Sequence, residues 1–261
     1  MKISVVGIFA IGLLVLGCSD AKKEDAKKGY TNSIGMEFVF IPSGSFTMGT
    51  EGKNSLQSHE KPRHKVIISK SFYLGKYEVT QEQWKKVTGN NPSKFQGGTK
   101  PVESISWRDA KIFISRLNAL ENTTKYRLST EAEWEYAARA ATSTKYSFGD
   151  DESKINAYAW YYDKNSNQTH PVGEKSPNRW GLYDMHGNVW EWVDDWYDAK
   201  YYDKSPEKDP LNSVAGDTNV IRGGSWVNSP EFLRSSTRFF QNTLYKGDDV
   251  GLRVAISIDD K

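Results

Sequence analysis

The chain has one cysteine, Cys18, in 261 residues. A lone thiol excludes an internal disulfide and any centre built on two thiols. Histidine is nearly as scarce: His59, His64, His170 and His186 are the only four, and no two stand at the spacing that sets a ligand pair on one helix face. A facial triad from His59, His64 and a carboxylate stays open beside the plainer reading of solvated loop histidines. An excess of one charge is missing too. Thirty-five Lys and Arg against 33 Asp and Glu leave a net +2 with the signs interspersed. Nucleic acid, which needs a clustered basic face, is therefore not expected as a partner. Internal repeats and low-complexity inserts are lacking, so 34–258 reads as a single domain.

What is present begins with a targeting segment. Lys2 supplies a short basic region, and Ile3 to Gly17 is uncharged and apolar. Fifteen residues fall short of the ~20 that span a bilayer. Residues 1–17 are expected to be a lipoprotein signal peptide, with Cys18 after Gly17 as the lipidated residue; an uncleaved anchor or a plain secretory signal are the alternatives. Lipid holds a protein to a membrane surface without crossing it. Ser19 in place of an aspartate points to the outer membrane or cell surface of a bacterial envelope over the inner membrane. Residues 18–33 are small and charged and read as a tether.

Nine tryptophans, fourteen tyrosines and eleven phenylalanines argue for a packed body, since each aromatic buries roughly 150–250 Å². Glu37–Pro42 and Ser45–Met48 read as strands around a Ser43-Gly44 turn, and further strands fall at 65–68 and 72–77. Residues 54–63 are polar and read as loop. Three capping signatures open helices: Thr80 with Gln83, Ser106 with Asp109, and Thr130 with Glu133. Ala110, Phe113, Ile114 and Leu117 form one apolar face, and Trp134, Ala137, Ala138 and Ala141 another. After about residue 145 the chain is Gly-rich and turn-rich. Helices set apart from an antiparallel sheet make the expected class α+β, with the strands near both termini meeting.

Several segments carry a resemblance: Phe38–Gly49, Tyr77–Trp84, Pro101–Trp107, Arg127–Ala137, Asn178–Trp192, Arg222–Trp226 and Gly251–Ala255. In order, over about 34–257, they resemble the formylglycine-generating-enzyme (sulfatase-modifying factor) family. The resemblance implies a C-type-lectin-like fold with little regular secondary structure. It also implies a reaction centre of two copper-binding cysteines, which register on Gly223-Gly224-Ser225 places at Asn228 and Leu233. Neither an amide nor an alkyl group is a thiolate nucleophile. The chain is therefore expected to be non-catalytic, without copper or iron, although Ser225 and Trp190 match residues lining the family's active site. The iron-dependent branch of the family adds a separate helical domain with its histidines, absent from this sequence.

Two sites remain implied. Family calcium is held around Asp184–Trp192, which assigns Asp184 and Glu191 as carboxylate ligands and Met185, Gly187 and Val189 as carbonyl ligands. Hydrogen bonds that merely brace this loop are the alternative. The segment between Trp226 and Asp249 forms the fold's exposed face, expected to bind a protein, peptide or glycan. It offers Trp226, Asn228, Ser229, Phe232, Ser235, Thr237, Phe239, Phe240, Asn242, Tyr245, Asp248 and Asp249; plain core is the competing reading for Phe232, Phe239 and Phe240. Some proteins of this fold are rewritten in this segment by diversity-generating retroelements, and its residues are compatible with that. A binding role expects a filled or shallow pocket beneath Ser225 and Asn228, and framework ion pairs for Arg222, Arg234, Arg238 and Arg253. The alternatives are an oxidoreductase on a small periplasmic substrate, using Trp190, Ser225 and nearby carboxylates, and a structural envelope lipoprotein.

Overall fold

The computed structural model describes residues 29–52, 55–162 and 167–258. The signal peptide, Cys18 and the tether to residue 28 lie outside the described residues. Among the described residues no helix is long and apolar enough to cross a membrane.

The first sheet has the order β1 (Tyr30–Thr31), β2 (Glu37–Ile41), β5 (Phe72–Gly75), β11 (Val254–Ser257) and β6 (Tyr126–Leu128), antiparallel throughout. The last strand among the described residues thus lies inside the sheet, one strand away from β2. Tyr30 and Thr31, expected within the tether, belong to this sheet. Asn32 Oδ1 accepts the Ile34 and Met36 N–H groups at 3.2 and 2.8 Å, which folds the chain back so that Tyr30 pairs with Phe38. A two-stranded ladder joins β3 (Gly44–Met48) to β4 (His64–Ile68). The second large sheet has the order β10 (Val250–Leu252), β7 (Trp190–Trp196), β8 (Thr218–Arg222) and β9 (Arg238–Asn242), with β10 and β7 parallel.

All three capping boxes are formed. They open α1 (Gln81–Thr88), α2 (Trp107–Leu120) and α3 (Glu131–Arg139), and in each the side chain three residues on reaches back to the cap N–H. The apolar stripe of α2 packs with α1, where Trp84 stacks on Phe113 at 4.9 Å, beneath the first sheet. Burial covers almost the whole circumference of α3, which lies in a second cluster with Leu74, Val193 and Val220. Ala141, expected on the buried face of α3, is exposed: the helix stops at Arg139, and Ala140 turns left-handed at φ 44°. The polar stretch before β4, expected as loop, contains a 3-10 turn at Ser55–Glu60 that carries buried Glu60 inward.

Candidate functional site: the Ser225 pocket and the carboxy-terminal face

The segment after β8 turns sharply at Gly223 and Gly224, both at positive φ. A side chain at Gly224 would meet Phe232 O and Leu233 within 3.1 Å, so only glycine lets the loop close on itself here. The two positions that align with the family's thiols are both committed. Asn228 Oδ1 accepts from the Ser225 N–H and hydroxyl at 3.0 and 2.8 Å. Leu233 is fully buried in a cluster with Tyr146, Ile155 and Ala159. Its carbonyl accepts the Nδ1–H of buried His186 at 2.7 Å. The Ser147 N–H donates to the other ring nitrogen at 3.1 Å, which keeps the imidazole neutral. Burial pushes the His186 pKa down to about 4.

Beside this knot lies a cavity of about 120 Å³, lined by Trp190, Asn228, Phe232, Phe239 and Asp249 among others. It holds roughly four waters, too little for most small-molecule substrates. Burial, and then the Asp248 charge, raise the Asp249 carboxyl above its ordinary range. Another cavity, about 480 Å³ and walled by Tyr30, Tyr73 and Tyr126, lies along the first sheet and touches none of the sequence-derived site residues.

The face expected to bind is only partly exposed. Phe239, Asn242 and Tyr245 stand in solvent, while Asn228, Ser229, Phe232, Phe240, Asp248 and Asp249 are half-buried. Phe239 and Phe240 stack at 5.4 Å, and Phe240 stacks on Tyr197 at 4.0 Å, extending the aromatic surface beyond the carboxy-terminal segment. Trp226, Ser235 and Thr237 do not belong to the surface. Trp226 lies edge-on to Phe95 and donates its indole N–H to Asp248 O. Ser235 and Thr237 are buried because their carbonyls, with that of Ser236, receive the Arg222 guanidinium at 2.7–3.1 Å.

Four arginines form the framework beneath. Arg222 pairs with Glu135, Arg234 with Glu60, Arg238 with Glu131 and Arg253 with Glu191, all buried. The acids Glu60, Glu131 and Glu135 were not singled out from the sequence, although Glu131 and Glu135 at i,i+4 share one side of α3 with apolar neighbours. Glu78 was missed as well. It accepts from the Asn188 amide and the Val189 N–H at 2.6 and 3.0 Å, and burial together with the Asp184 and Glu191 charges raises its pKa well above normal.

The turn expected to hold calcium runs through left-handed residues Asp184, Gly187 and Asn188. A Cβ on Gly187 would lie 2.1 Å from Trp160 O, so no other residue fits there. Glu191 does not fit the ligand set as implied. Both its oxygens receive Arg253, and Oε2 also receives the Trp134 indole N–H at 2.7 Å. Asp184 does fit: Oδ2 accepts the Gly173 N–H, while buried Oδ1 has no donor, and burial pushes the carboxyl up to about 6. Among the described residues no three His, Cys, Asp or Glu side chains converge as a metal set. His59 meets the Tyr197 hydroxyl and His64 the Pro62 carbonyl, so the two do not form a triad.

The chain is similar to known proteins over most of its length. The chain is 31% identical to the chaperone protein LppX of Paenibacillus barcinonensis, over 86% of this chain and 91% of that one. It superposes with a TM-score of 0.80 on Treponema denticola variable protein 1, at 30% identity over 88% of this chain and 99% of that one. PvdO from Pseudomonas aeruginosa also gives 0.80, at 32% identity over 88% and 98%. The model of the sulfatase-modifying factor enzyme 1-like domain matches residues 22–258, and the chain belongs to that family, with its C-type-lectin-like fold.

Proposed function

We propose that the chain is a lipid-anchored, non-catalytic envelope protein that holds a protein or peptide ligand on its 226–249 face, a glycan being the other class that such a face suits. One observation carries this reading: the two thiol positions are filled by Asn228, tied to Ser225, and Leu233, packed in the core, beside a cavity of about 120 Å³. No nucleophile or soft-metal ligand stands where the family reaction needs one. Similarity to a protein named as a chaperone and to one named as variable supports holding over converting. The exposed Phe239, Asn242 and Tyr245 make first contact, with Phe240, Phe232, Asn228, Ser229, Asp248 and Asp249 around them. Diversification of this segment by a retroelement is the finer form of the proposal.

Arrays of peptides and glycans probed with the full chain test the face. Phe239→Ala with Asn242→Ala should weaken any ligand at least tenfold, while exposed Ile112→Ala on α2 should not; equal loss from both sinks the assignment. Aldehyde formation on a cysteine peptide supplied with copper would overturn the non-catalytic reading. Labelling with an alkyne fatty acid tests the anchor, and label persisting in Cys18→Ser refutes it. Allele sequences conserved across 227–249 would remove the retroelement. Calcium, if bound, would be held by Asp184 Oδ1 and the Met185, Gly187 and Val189 carbonyls, supplying a hard cation to an otherwise orphaned oxygen.

A further inference from the structure

A second cavity, of about 280 Å³, lies between the Gly49–Gly52 turn, the Ser143–Lys145 loop and the Arg234–Ser236 segment. It shares no lining residue with the cavity beside Trp190. Its volume is that of roughly nine waters, room for a small ion together with part of a larger ligand. Four cations line it. Arg139 and Arg234 are buried and form the floor, and Arg63 and Lys145 are exposed at the rim. Two acids share the lining, Glu51 and Asp150, both exposed; Asp150 accepts the Lys145 backbone N–H at 2.8 Å.

The floor belongs to a buried ion-paired layer whose charges do not balance. Arg139 and Arg222 both bind Glu135, Arg222 also approaches Glu131 at 3.5 Å, Arg238 binds Glu131, and Arg234 binds Glu60. Four guanidiniums thus meet three carboxylates. Asp195, behind the layer, is held by the Glu131 and Asn212 N–H groups, and burial with the Glu131 charge pushes it up to about 8. A buried cation short of a counter-charge is costly unless an anion reaches it. The cavity is the opening through which one can.

We propose that this cavity is an anion site, taking a tetrahedral oxyanion, phosphate or sulfate, free or as the ester group of a larger molecule. Arg63 and Lys145 close over the anion from the rim, the Ser143 hydroxyl is available as a donor, and the floor supplies the field; the Thr144 hydroxyl is spent on the Tyr146 carbonyl at 2.7 Å. The exposed Arg63 fork suits a tetrahedral oxyanion because it donates two parallel hydrogen bonds, while the Arg139 and Arg234 forks stay on Glu135, Glu60 and nearby carbonyls and act through their charge. The site stands independently of the carboxy-terminal face.

The test is calorimetric titration of the full chain with inorganic phosphate, inorganic sulfate and glucose 6-phosphate, at ionic strength held constant with sodium chloride. Binding of at least one with a Kd of about 1 mM or tighter is expected, with a rise in melting temperature. Tighter glucose 6-phosphate assigns the ester form, and tighter inorganic ion the free form. Arg63→Ala with Lys145→Ala should weaken binding at least tenfold and leave the ligand-free melting temperature unchanged, since both side chains are exposed. No heat from any of the three probes at about 20 mM, or undiminished binding by the double variant, overturns the proposal.

Discussion

At the scale of single residues, buried charge decides the chemistry of this protein. Arg253 is a fully buried cation facing Glu78, Asp184 and Glu191, and it also donates to the Gly75 and Tyr183 carbonyls. Arg253→Leu should therefore cost about 3–5 kcal/mol in urea unfolding, and adding Glu191→Leu should recover part of it. His186 gives a pH dependence of known sign. Its folded pKa, about 4, lies below its unfolded value, so its contribution is complete above about 6.5 and is lost as pH falls toward 4. The loss is on the order of 3 kcal/mol across that window. A His186→Asn chain should lose less stability than the native chain between pH 6.5 and 4.5, and identical curves would refute the role. Asp184 tests calcium: addition of the ion should raise the melting temperature of the native chain and leave Asp184→Asn unmoved.

At the scale of elements, short helices here depend on their first turns. In α3, Thr130 caps the Glu133 N–H while Glu133 both returns to the Thr130 N–H and receives Arg127 at 2.6 and 2.7 Å. Thr130→Ala should cost about 1 kcal/mol, read as a lower urea midpoint with unchanged slope. The same helix delivers Glu131 and Glu135 to the arginine layer, one turn apart on one side. The cap thus sets the position of the acids that hold the 234–238 segment beneath the carboxy-terminal face.

At the scale of the whole molecule, the carboxy-terminal strands close the fold. β11 pairs with β5 on one side and β6 on the other, and β10 lies parallel to β7 across the second sheet. Removal of residues 250–261 would leave β6 unpaired and β5 paired with β2 alone, and would take Arg253 with it. Such a chain should lack the cooperative thermal transition of the native one by circular dichroism, and retention of that transition would show that the sheets close without it. The 226–249 face is held at both ends by this closure, between the arginine layer and β10. Its surface can therefore vary while its frame stays fixed.

The sequence by itself determined the local elements and the lack of a thiol pair. Capping boxes at Thr80, Ser106 and Thr130 and the apolar stripe of α2 act over one or two turns, so periodicity reveals them. One cysteine among 261 residues leaves no pair of thiols in any conformation. Only the tertiary structure decided which side chains face water and which acids meet which bases. Trp226, Ser235 and Thr237 look like Phe239 and Asn242 in composition, yet Arg222 and Phe95 draw the first three inward. Glu60 reaches Arg234 across 174 positions and Glu191 reaches Arg253 across 62, separations at which local pattern carries no information. Electrostatic pairing and desolvation act through space, and the chain path alone sets those distances.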